Sequence, residues 1–285
     1  ERLIATIEAL GGDGKSFRQE RARNARAIIA EIDSPPRVTA AARRLPKYGL
    51  APGLALDITI DDESGRPYDF SIKSQRDKAE ALIDAQLPVL LIGSPMCNAF
   101  SAIQAINNIP GKRDPAVVAR EQASGRLHLA WCCQMYRRQI ARGAYFLHEH
   151  PAGATSWIEP CVTAVLSLTG VRRIRADQCM HGQESEADNP IRKPTGFMSN
   201  SPHLLEALNR RCFGRKGLCP RLGGAVHQPC LGKVARRAAI FSDAMCEIIL
   251  SGCSAQMKAD LRMRDNENGV HIVLHDWSDE VKDYL

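Results

Sequence analysis

Short apolar runs alternate along the chain with longer segments whose apolar residues recur at helical spacing. The runs have strand length, and PVLLIG is apolar throughout, as in a strand that is buried on both faces. This alternation predicts an α/β fold: a doubly wound, mostly parallel sheet with helices on both faces. The predicted strands are 27–32, 53–60, 88–93, 144–151, 171–177 and 193–200, and the predicted helices are 38–45, 71–86, 115–142, 157–168 and 202–211.

The predicted elements divide the 285 residues into five segments. Residues 1–26 are predicted to be a charged helical lead-in, and 27–200 an α/β core. Residues 201–232 are enriched in Cys, Gly, Arg and Pro and are interpreted as a small insertion. Residues 233–255 then form a closing helix of the core, and 256–285 a charged tail. A chain of this length can bury a large core without disulfides or metal.

Composition narrows the class of protein. No apolar stretch reaches the roughly 20 residues of a membrane span, and the first residues do not resemble a signal peptide. The ten cysteines, two of them adjacent at Cys132 and Cys133, favour reduced thiols in the cytosol or nucleus over a disulfide framework. The net charge of +6 fits a polyanionic partner and equally a plain basic surface. The first residue is Glu1 rather than Met, which suggests a piece of a longer chain.

Three polar clusters, DSPPR, SPMCNAFS and EHP, follow predicted strands, at the sheet edge where function gathers in such folds. In GSPMCNAFS, Cys97 is predicted to lie on a turn near helix N-termini, a setting that lowers a thiol pKa and favours the thiolate. A small buried thiol is the alternative. In FLHEHP, Glu149 ends another strand, where apolar surroundings can keep a carboxyl group protonated. A capping or ion-paired carboxylate is the alternative here.

Other polar residues lie at the same predicted edge. His148 and His150 flank Glu149 and share the opposite face of the strand, as acid–base groups, ligands or structural histidines. Gln178 follows strand 171–177 and is a candidate for orienting a substrate. Lys193 is a candidate phosphate contact.

These segments resemble motifs of the cytosine-C5 DNA methyltransferases. GSPMCNAFS resembles the family's Gly-Gly-Pro-Pro-Cys-Gln-Gly-Phe-Ser motif, with Cys97 at the nucleophile. HEHP resembles its Glu-Asn-Val motif, with Glu149 at the glutamate, and KVARRAAIFSDAMCEIIL vaguely resembles the closing motif. The likeness spans residues 27–250. It extends to methyltransferase-like domains of retrotransposon polyproteins, where segments like SPPRVTAAAR, FLHEHPAGATSW and RKPTGFMSN recur.

The resemblance implies a class I methyltransferase-like, Rossmann-like fold and S-adenosylmethionine as cofactor. It implies methyl transfer to C5 of cytosine in nucleic acid, DNA rather than RNA, on a base turned out of the stack. Cys97 then adds to C6, and Glu149 stabilises charge at N3. The implied cofactor contacts are Glu31, Ser34, Asp57, Asp69 and Pro95, and the implied substrate contacts are Asn98, Ser101, Arg173 and Arg175.

Three features depart from the family pattern. The first loop, DSPPR, has no glycine, and its two prolines have no N–H to offer a cofactor. Asn98 stands where the family has Gln, and only 201–232 is available for nucleic-acid recognition. A second hypothesis is therefore a catalytically inactive nucleic-acid-binding module of a mobile-element polyprotein. A third is a different thiol or metal enzyme that uses Cys97 with His148 or His150.

The segment 201–232 has metal-ligand chemistry of its own. Cys212, Cys219, His227 and Cys230 offer three thiolates and one imidazole within 19 residues, a donor set that suits tetrahedral zinc. Unbound, reduced thiols are the alternative. A basic knuckle held by zinc would replace the missing recognition domain.

Overall fold

The structure, a computed structural model, describes residues 8–13, 27–101 and 113–267, with side chains up to 261. Most of the predicted helical lead-in and the tail beyond 267 lie outside these residues. Within them, no helix combines the length and the apolar character that crossing a bilayer requires.

A six-stranded, mostly parallel sheet forms the centre of the protein, which confirms the predicted α/β class and is compatible with a Rossmann-like fold. The strand order is β2-β1-β3-β4-β6-β5. Strands β1 to β4 pair in parallel, whereas β6 pairs antiparallel with both β4 and β5. The strands are β1 (Ala27–Ile32), β2 (Leu50–Leu56), β3 (Leu90–Gly93), β4 (Tyr145–Pro151), β5 (Arg172–Asp177) and β6 (Pro194–Ser199).

Helices cover both faces of the sheet, as the sequence predicts. One face packs Phe70, Trp131 and Tyr136 into a core with α2, α3 and α4, and the other packs Leu204 and Ile249 into a core with α1, α5 and α7. The helices are α1 (Val38–Arg44), α2 (Lys73–Gln86), α3 (Pro115–Ala141), α4 (Pro160–Leu166), α5 (Pro202–Leu208), α6 (Gly232–Arg237) and α7 (Asp243–Glu267).

Local chemistry sets several helix starts. The Asp114 carboxylate accepts a hydrogen bond from Ala116 N at 2.8 Å, directly before α3, and Pro115 opens the helix. Ser201 caps α5 in the same way, because its Oγ accepts from Leu204 N at 3.2 Å. Both starts combine a capping side chain with proline at the first helical position, which has no N–H to leave unpaired.

Several predicted elements have different bounds. The predicted closing helix 233–255 is two helices, α6 and α7, and α7 continues to Glu267 into the predicted tail. Two further differences have local reasons. The strand predicted at 53–60 is Leu50–Leu56, because the Asp57 carboxylate accepts from both N and Oγ1 of Thr59 and turns the chain. The helix predicted at 157–168 is a 3₁₀ turn followed by the separate helix α4. Glu159 is extended before Pro160, the conformation that a following proline favours.

A small hairpin of β7 (Leu218–Cys219) and β8 (Ala225–Val226) follows α5. We call residues 210–231 the knuckle. At Gly214 a Cβ would lie 1.7 Å from Leu218 O, so only glycine allows this close approach of the two backbone segments. The knuckle therefore depends on the glycine-rich composition that distinguishes this segment.

Candidate functional site

A cavity of about 240 Å³ lies at the carboxyl ends of β1, β3 and β4. Its lining comes from the loop after β1 (33–37), the loop after β3 (94–98) and the segment before α7 (239–241), together with Glu149 and Lys193. Because β6 runs antiparallel to β4, the chain enters β6 at the edge where β4 ends. This reversal of direction brings Lys193 to the cavity.

Hydrogen bonds to the buried Glu31 hold the loop after β1 in place. Its fully buried carboxylate accepts from Arg37 N and Val38 N at 3.2 Å and from Thr39 N at 2.7 Å and Oγ1 at 2.6 Å. Burial raises the pKa of Glu31, and the hydrogen bonds from Thr39 and its neighbours oppose that rise. All these partners are donors, so the ionised carboxylate fits them best. Ser34 Oγ lies 3.5 Å from the same carboxylate.

Asp33 ties this loop to α3. Its φ of 51° is left-handed, a conformation that few non-glycine residues adopt. Its carboxylate lies 3.0 Å from His128 Nδ1 and accepts a hydrogen bond from Cys132 Sγ at 3.3 Å. Burial, followed by the charge of Asp33, raises the pKa of the Cys132 thiol. The loop at 33–37, which contains no glycine, is thus held by contacts of Asp33 with the protein interior.

Cys97 lines the cavity but does not have the thiolate setting that the sequence predicts. It directly precedes a 3₁₀ turn, Asn98–Phe100. Burial raises the pKa of the Cys97 thiol, the negative charge of Glu149 raises it further, and Lys193 opposes both. The expectation of a lowered thiol pKa is therefore wrong for this structure, since burial and the nearby carboxylate both disfavour the thiolate.

Glu149 lies on the cavity side of β4, as the sequence predicts, and is only 7% exposed. Lys193 Nζ lies 3.5 Å from Glu149 Oε1 and donates to Ala238 O at 3.2 Å. The distance to Glu149 is longer than a good charge-assisted hydrogen bond. Cys97, Glu149 and Lys193 are thus brought together around one small space.

Three buried polar atoms on residues that line this cavity have no hydrogen-bond partner in the part of the chain that the structure describes. They are Arg37 Nε, Ser94 Oγ and Glu149 Oε1. Each such group typically costs about 1–3 kcal/mol. Their concentration around one space is typical of a site that binds a polar ligand.

His148 and His150 lie on the opposite face of β4, stacked at 5.4 Å between ring centroids. His150 Nε2 donates to Pro95 O at 3.1 Å, and its Nδ1 accepts from Ser156 Oγ at 2.5 Å. Burial lowers the pKa of both imidazoles. No hydrogen bond joins either ring to the Cys97 sulfur within the described chain, so the geometry does not favour the third hypothesis. Instead, His150 anchors the Cys97 loop through Pro95.

Asp57 and Asp69, two of the predicted cofactor residues, lie outside the cavity lining. Asp57 and Asp69 are half-buried, and each carboxylate is engaged through Oδ1, by Thr59 and by Ser71 N respectively. Their second oxygens take no part in these turn contacts. Pro95, by contrast, lines the cavity.

The predicted substrate residues separate into two places. Asn98 lines the cavity and is exposed, and Ser101 ends the described part of that loop. Arg173 instead lies over the Trp157 ring at 3.8 Å and donates to Ala152 O, while Arg175 is exposed on the same strand.

Gln178 is fully buried, and its Nε2 donates to Thr195 Oγ1 at 3.0 Å. It is not among the residues of the cavity wall. Two residues of that wall, Arg37 and Phe241, were not singled out by the sequence. The SPPR turn could have indicated Arg37, because a turn that follows a strand places its last residue at the edge of the sheet.

Four potential metal ligands converge beside the sheet. One ligand atom from each of Cys179, Cys212, Cys219 and His227 lies within 4.8 Å of the others. Cys179 replaces the predicted Cys230, which is not part of this cluster. Cys179 follows β5 in the core, so a search confined to one segment of sequence could not find it.

The cluster has the surroundings of a metal centre. The three sulfurs belong to buried residues, and Cys212 Sγ lies 3.5 Å from His227 Nε2. His227 Nδ1 donates to Gly217 O at 2.8 Å, which leaves Nε2 to face the sulfurs. Such a second hydrogen bond is the usual way in which proteins orient a ligand histidine. The cluster can therefore hold a metal ion.

Comparison with known proteins gives no independent assignment of the cavity or the cluster. No protein-family model matches the chain, and no curated protein sequence is significantly similar to it.

Proposed function

We propose that the protein is an S-adenosylmethionine-dependent methyltransferase that acts on C5 of cytosine in nucleic acid. The observation that carries the proposal is the shared cavity of Cys97 and Glu149, whose residues resemble the nucleophile and the N3 partner of that family. Buried polar atoms of Arg37, Ser94 and Glu149 have no hydrogen-bond partner among the described residues and support a polar ligand in the same cavity, where Glu149 Oε1 also faces Lys193 Nζ.

The residues present fit the cofactor by their chemistry. Carboxylates such as Asp57 and Asp69 suit ribose hydroxyls and the adenine amine, and the Arg37 guanidinium suits the carboxylate of the methionine part. The cavity of about 240 Å³ is smaller than the roughly 300 Å³ at which ligand pockets begin, and suits the reacting groups rather than the whole cofactor. When bound, the cofactor supplies an electrophilic methyl group.

Cys97 carries the covalent step. Its thiol loses a proton to solvent, and the sulfur forms a bond to C6 of cytosine while the electron pair of the C5–C6 double bond moves to C5. Glu149 stabilises N3 by sharing a proton with it, and Lys193 stabilises the negative charges of this pair. After C5 has gained its methyl group, loss of the C5 proton restores the double bond and expels the Cys97 sulfur.

The raised pKa of Cys97 has a consequence for this reaction. Burial and the charge of Glu149 disfavour the thiolate, and Lys193 is the group that opposes them. The rate of adduct formation should therefore rise with pH above 7.

Calorimetric titration with S-adenosylmethionine and S-adenosylhomocysteine tests cofactor binding. Micromolar binding that weakens in Asp57→Ala and persists in Asp61→Ala, an exposed acid of the next turn, supports the proposal. DNA containing 5-fluorocytosine should then trap a covalent adduct, because fluorine cannot leave C5 as a proton does. The adduct, detected by mass spectrometry, should be absent in Cys97→Ser.

Absence of binding to either compound would contradict the enzyme proposal and favour the inactive nucleic-acid-binding module. Two observations give that second candidate weight. Glu31 already engages the backbone N–H groups of Arg37, Val38 and Thr39 that a cofactor would otherwise use. The Cys97 thiol is also held protonated in the free protein.

We also propose that the metal of the Cys179, Cys212, Cys219 and His227 cluster is zinc, because three thiolates and one imidazole suit its tetrahedral coordination. Elemental analysis of the purified protein should find about one zinc per chain. Cys179→Ala should lose this zinc, and Cys230→Ala should retain it. The opposite result would contradict the assignment and restore the ligand set predicted from sequence.

A further inference from the structure

The knuckle and the helix after it, α6, contain basic residues but no acidic ones. Residues 210–237 contain eight Lys or Arg and no Asp or Glu. Three of the arginines pair with acids elsewhere: Arg211 with Asp177, Arg221 with Glu184 and Arg237 with Glu186. The other five are exposed and have no ion pair within the described residues; they are Arg210, Arg215, Lys216, Lys233 and Arg236. This surface is electrostatically suited to a polyanion.

An exposed aromatic ring lies among these charges. Phe213 is 83% exposed, and it directly follows the cluster residue Cys212. Its backbone is restrained on both sides, by the buried Cys212 and by the close approach of Gly214 to Leu218. An exposed ring on a restrained backbone, followed two and three residues later by the exposed Arg215 and Lys216, offers the groups of a base-stacking surface, where aromatic rings bind bases and cations bind phosphates.

The knuckle, which carries Phe213, Arg215 and Lys216, is connected to the cavity. Arg192 Nη2 donates to Cys212 O at 3.0 Å, and the next residue, Lys193, lines the cavity beside Glu149. On the other side, the chain that leaves the knuckle through α6 reaches the cavity at 239–241. The knuckle is thus attached to the cavity wall at two points.

We propose that Phe213, Arg215 and Lys216 form a binding surface for an unpaired nucleic-acid strand, with a base stacked on Phe213 and phosphates against the two cations. Its role in presenting a substrate rests on the proposed function, whereas the binding itself does not. The surface recognises a π-face and a phosphate backbone, so it takes single strands of varied sequence in preference to a closed duplex.

Fluorescence anisotropy with the protein as purified and a labelled single-stranded DNA of about 20 nucleotides, longer than one such site occupies, tests this surface. Phe213→Ala should weaken binding by about 5- to 150-fold, the effect of losing one stacked base. Phe213→Trp should retain affinity, and Leu231→Ala, which removes another exposed apolar side chain of the knuckle, should leave it unchanged. The double variant Arg215→Ala/Lys216→Ala should reduce the slope of log affinity against log salt by about 1.4, two phosphate contacts on a single strand.

Wild-type affinity in Phe213→Ala together with an unchanged salt slope in the double variant would overturn the proposal, as would failure of the wild type to bind the strand. Calorimetry with S-adenosylmethionine on the same samples separates the two proposals. If the cofactor binds but Phe213→Ala does not weaken strand binding, only the proposed binding surface is refuted. If Phe213→Ala weakens strand binding but the cofactor does not bind, only the proposed enzymatic function is refuted. Equal melting temperatures and metal content of the variants exclude misfolding as the cause.

Discussion

Replacing Glu31 with Gln should destabilise the protein, because this carboxylate receives only donors. The amide oxygen of Gln can keep the bonds from Thr39 N and Oγ1, at 2.7 and 2.6 Å in the native protein. Its NH₂ group then faces Val38 N–H, which loses its acceptor, whereas Arg37 N lies 3.2 Å from the retained oxygen and keeps one. A hydrogen bond to a charged group contributes about 1.5–3 kcal/mol, and relief of the buried charge offsets part of this loss. We expect the unfolding free energy to fall by about 1–3 kcal/mol.

Urea denaturation at pH 7, followed by tryptophan fluorescence, measures this loss. The matched control is Asp77→Asn, the same change of carboxylate to amide in an exposed pair with Lys73, 2.7 Å away. That variant should lie within about 0.5 kcal/mol of the wild type. Because 33–37 lines the cavity, Glu31→Gln should also weaken cofactor binding. A Glu31→Gln variant as stable as the control, with an unchanged denaturant slope, would refute the idea that Glu31 holds the loop.

Three further predictions follow from buried contacts. Burial lowers the pKa of His148, so the unfolded chain binds a proton at this histidine more readily than the folded chain does. The stability of the folded state should therefore be full above about pH 6.5 and fall as the pH is lowered further. In His148→Gln, melting temperatures measured over the same pH range should fall less on acidification. A hydrogen bond from Cys133 lowers the pKa of Cys161 to about 7, so iodoacetamide at pH 7.5 should label Cys161 first in peptide mapping; first labelling of another cysteine would count against it. In Gly93→Ala the new Cβ would lie 2.0 Å from Tyr136 Oη, and chemical denaturation should show a loss of about 1–3 kcal/mol; a neutral result would mean that Tyr136 moves freely.

The sheet was largely predictable because its information is local. A run such as PVLLIG, apolar at every position and bounded by a turn, has few solutions other than a buried strand. The meeting of Cys97 and Glu149 was predictable for the same reason, since both follow parallel strands and the carboxyl ends of such strands share one edge. The antiparallel direction of β6 was not predictable, because the local pattern of KPTGFMSN does not indicate how the strand runs relative to its neighbours.

The chemistry was harder to predict where it depends on distant contacts. The turn after Cys97 resembles a helix start in sequence, yet the thiol pKa is decided by burial and by Glu149, which follows it by 52 residues. Cys179 joins the Cys/His cluster from another element, while Cys230, closer in sequence to His227, does not. Segment composition predicted candidate residues in each case, and long-range packing decided which of them come together.

A metal ion held by the cluster of Cys179, Cys212, Cys219 and His227 would prolong the lifetime of the native state. Cys179 and His227 bracket about fifty residues, including β6 and α5, so a metal bound to all four ligands closes a long loop of chain and restricts the unfolded ensemble. Its ligands come from the turn after β5 and from the knuckle, so we expect all four to meet late in folding. A contact of that kind slows unfolding more than it speeds folding. Chelation should therefore shorten the persistence of the folded chain while leaving its refolding rate almost unchanged.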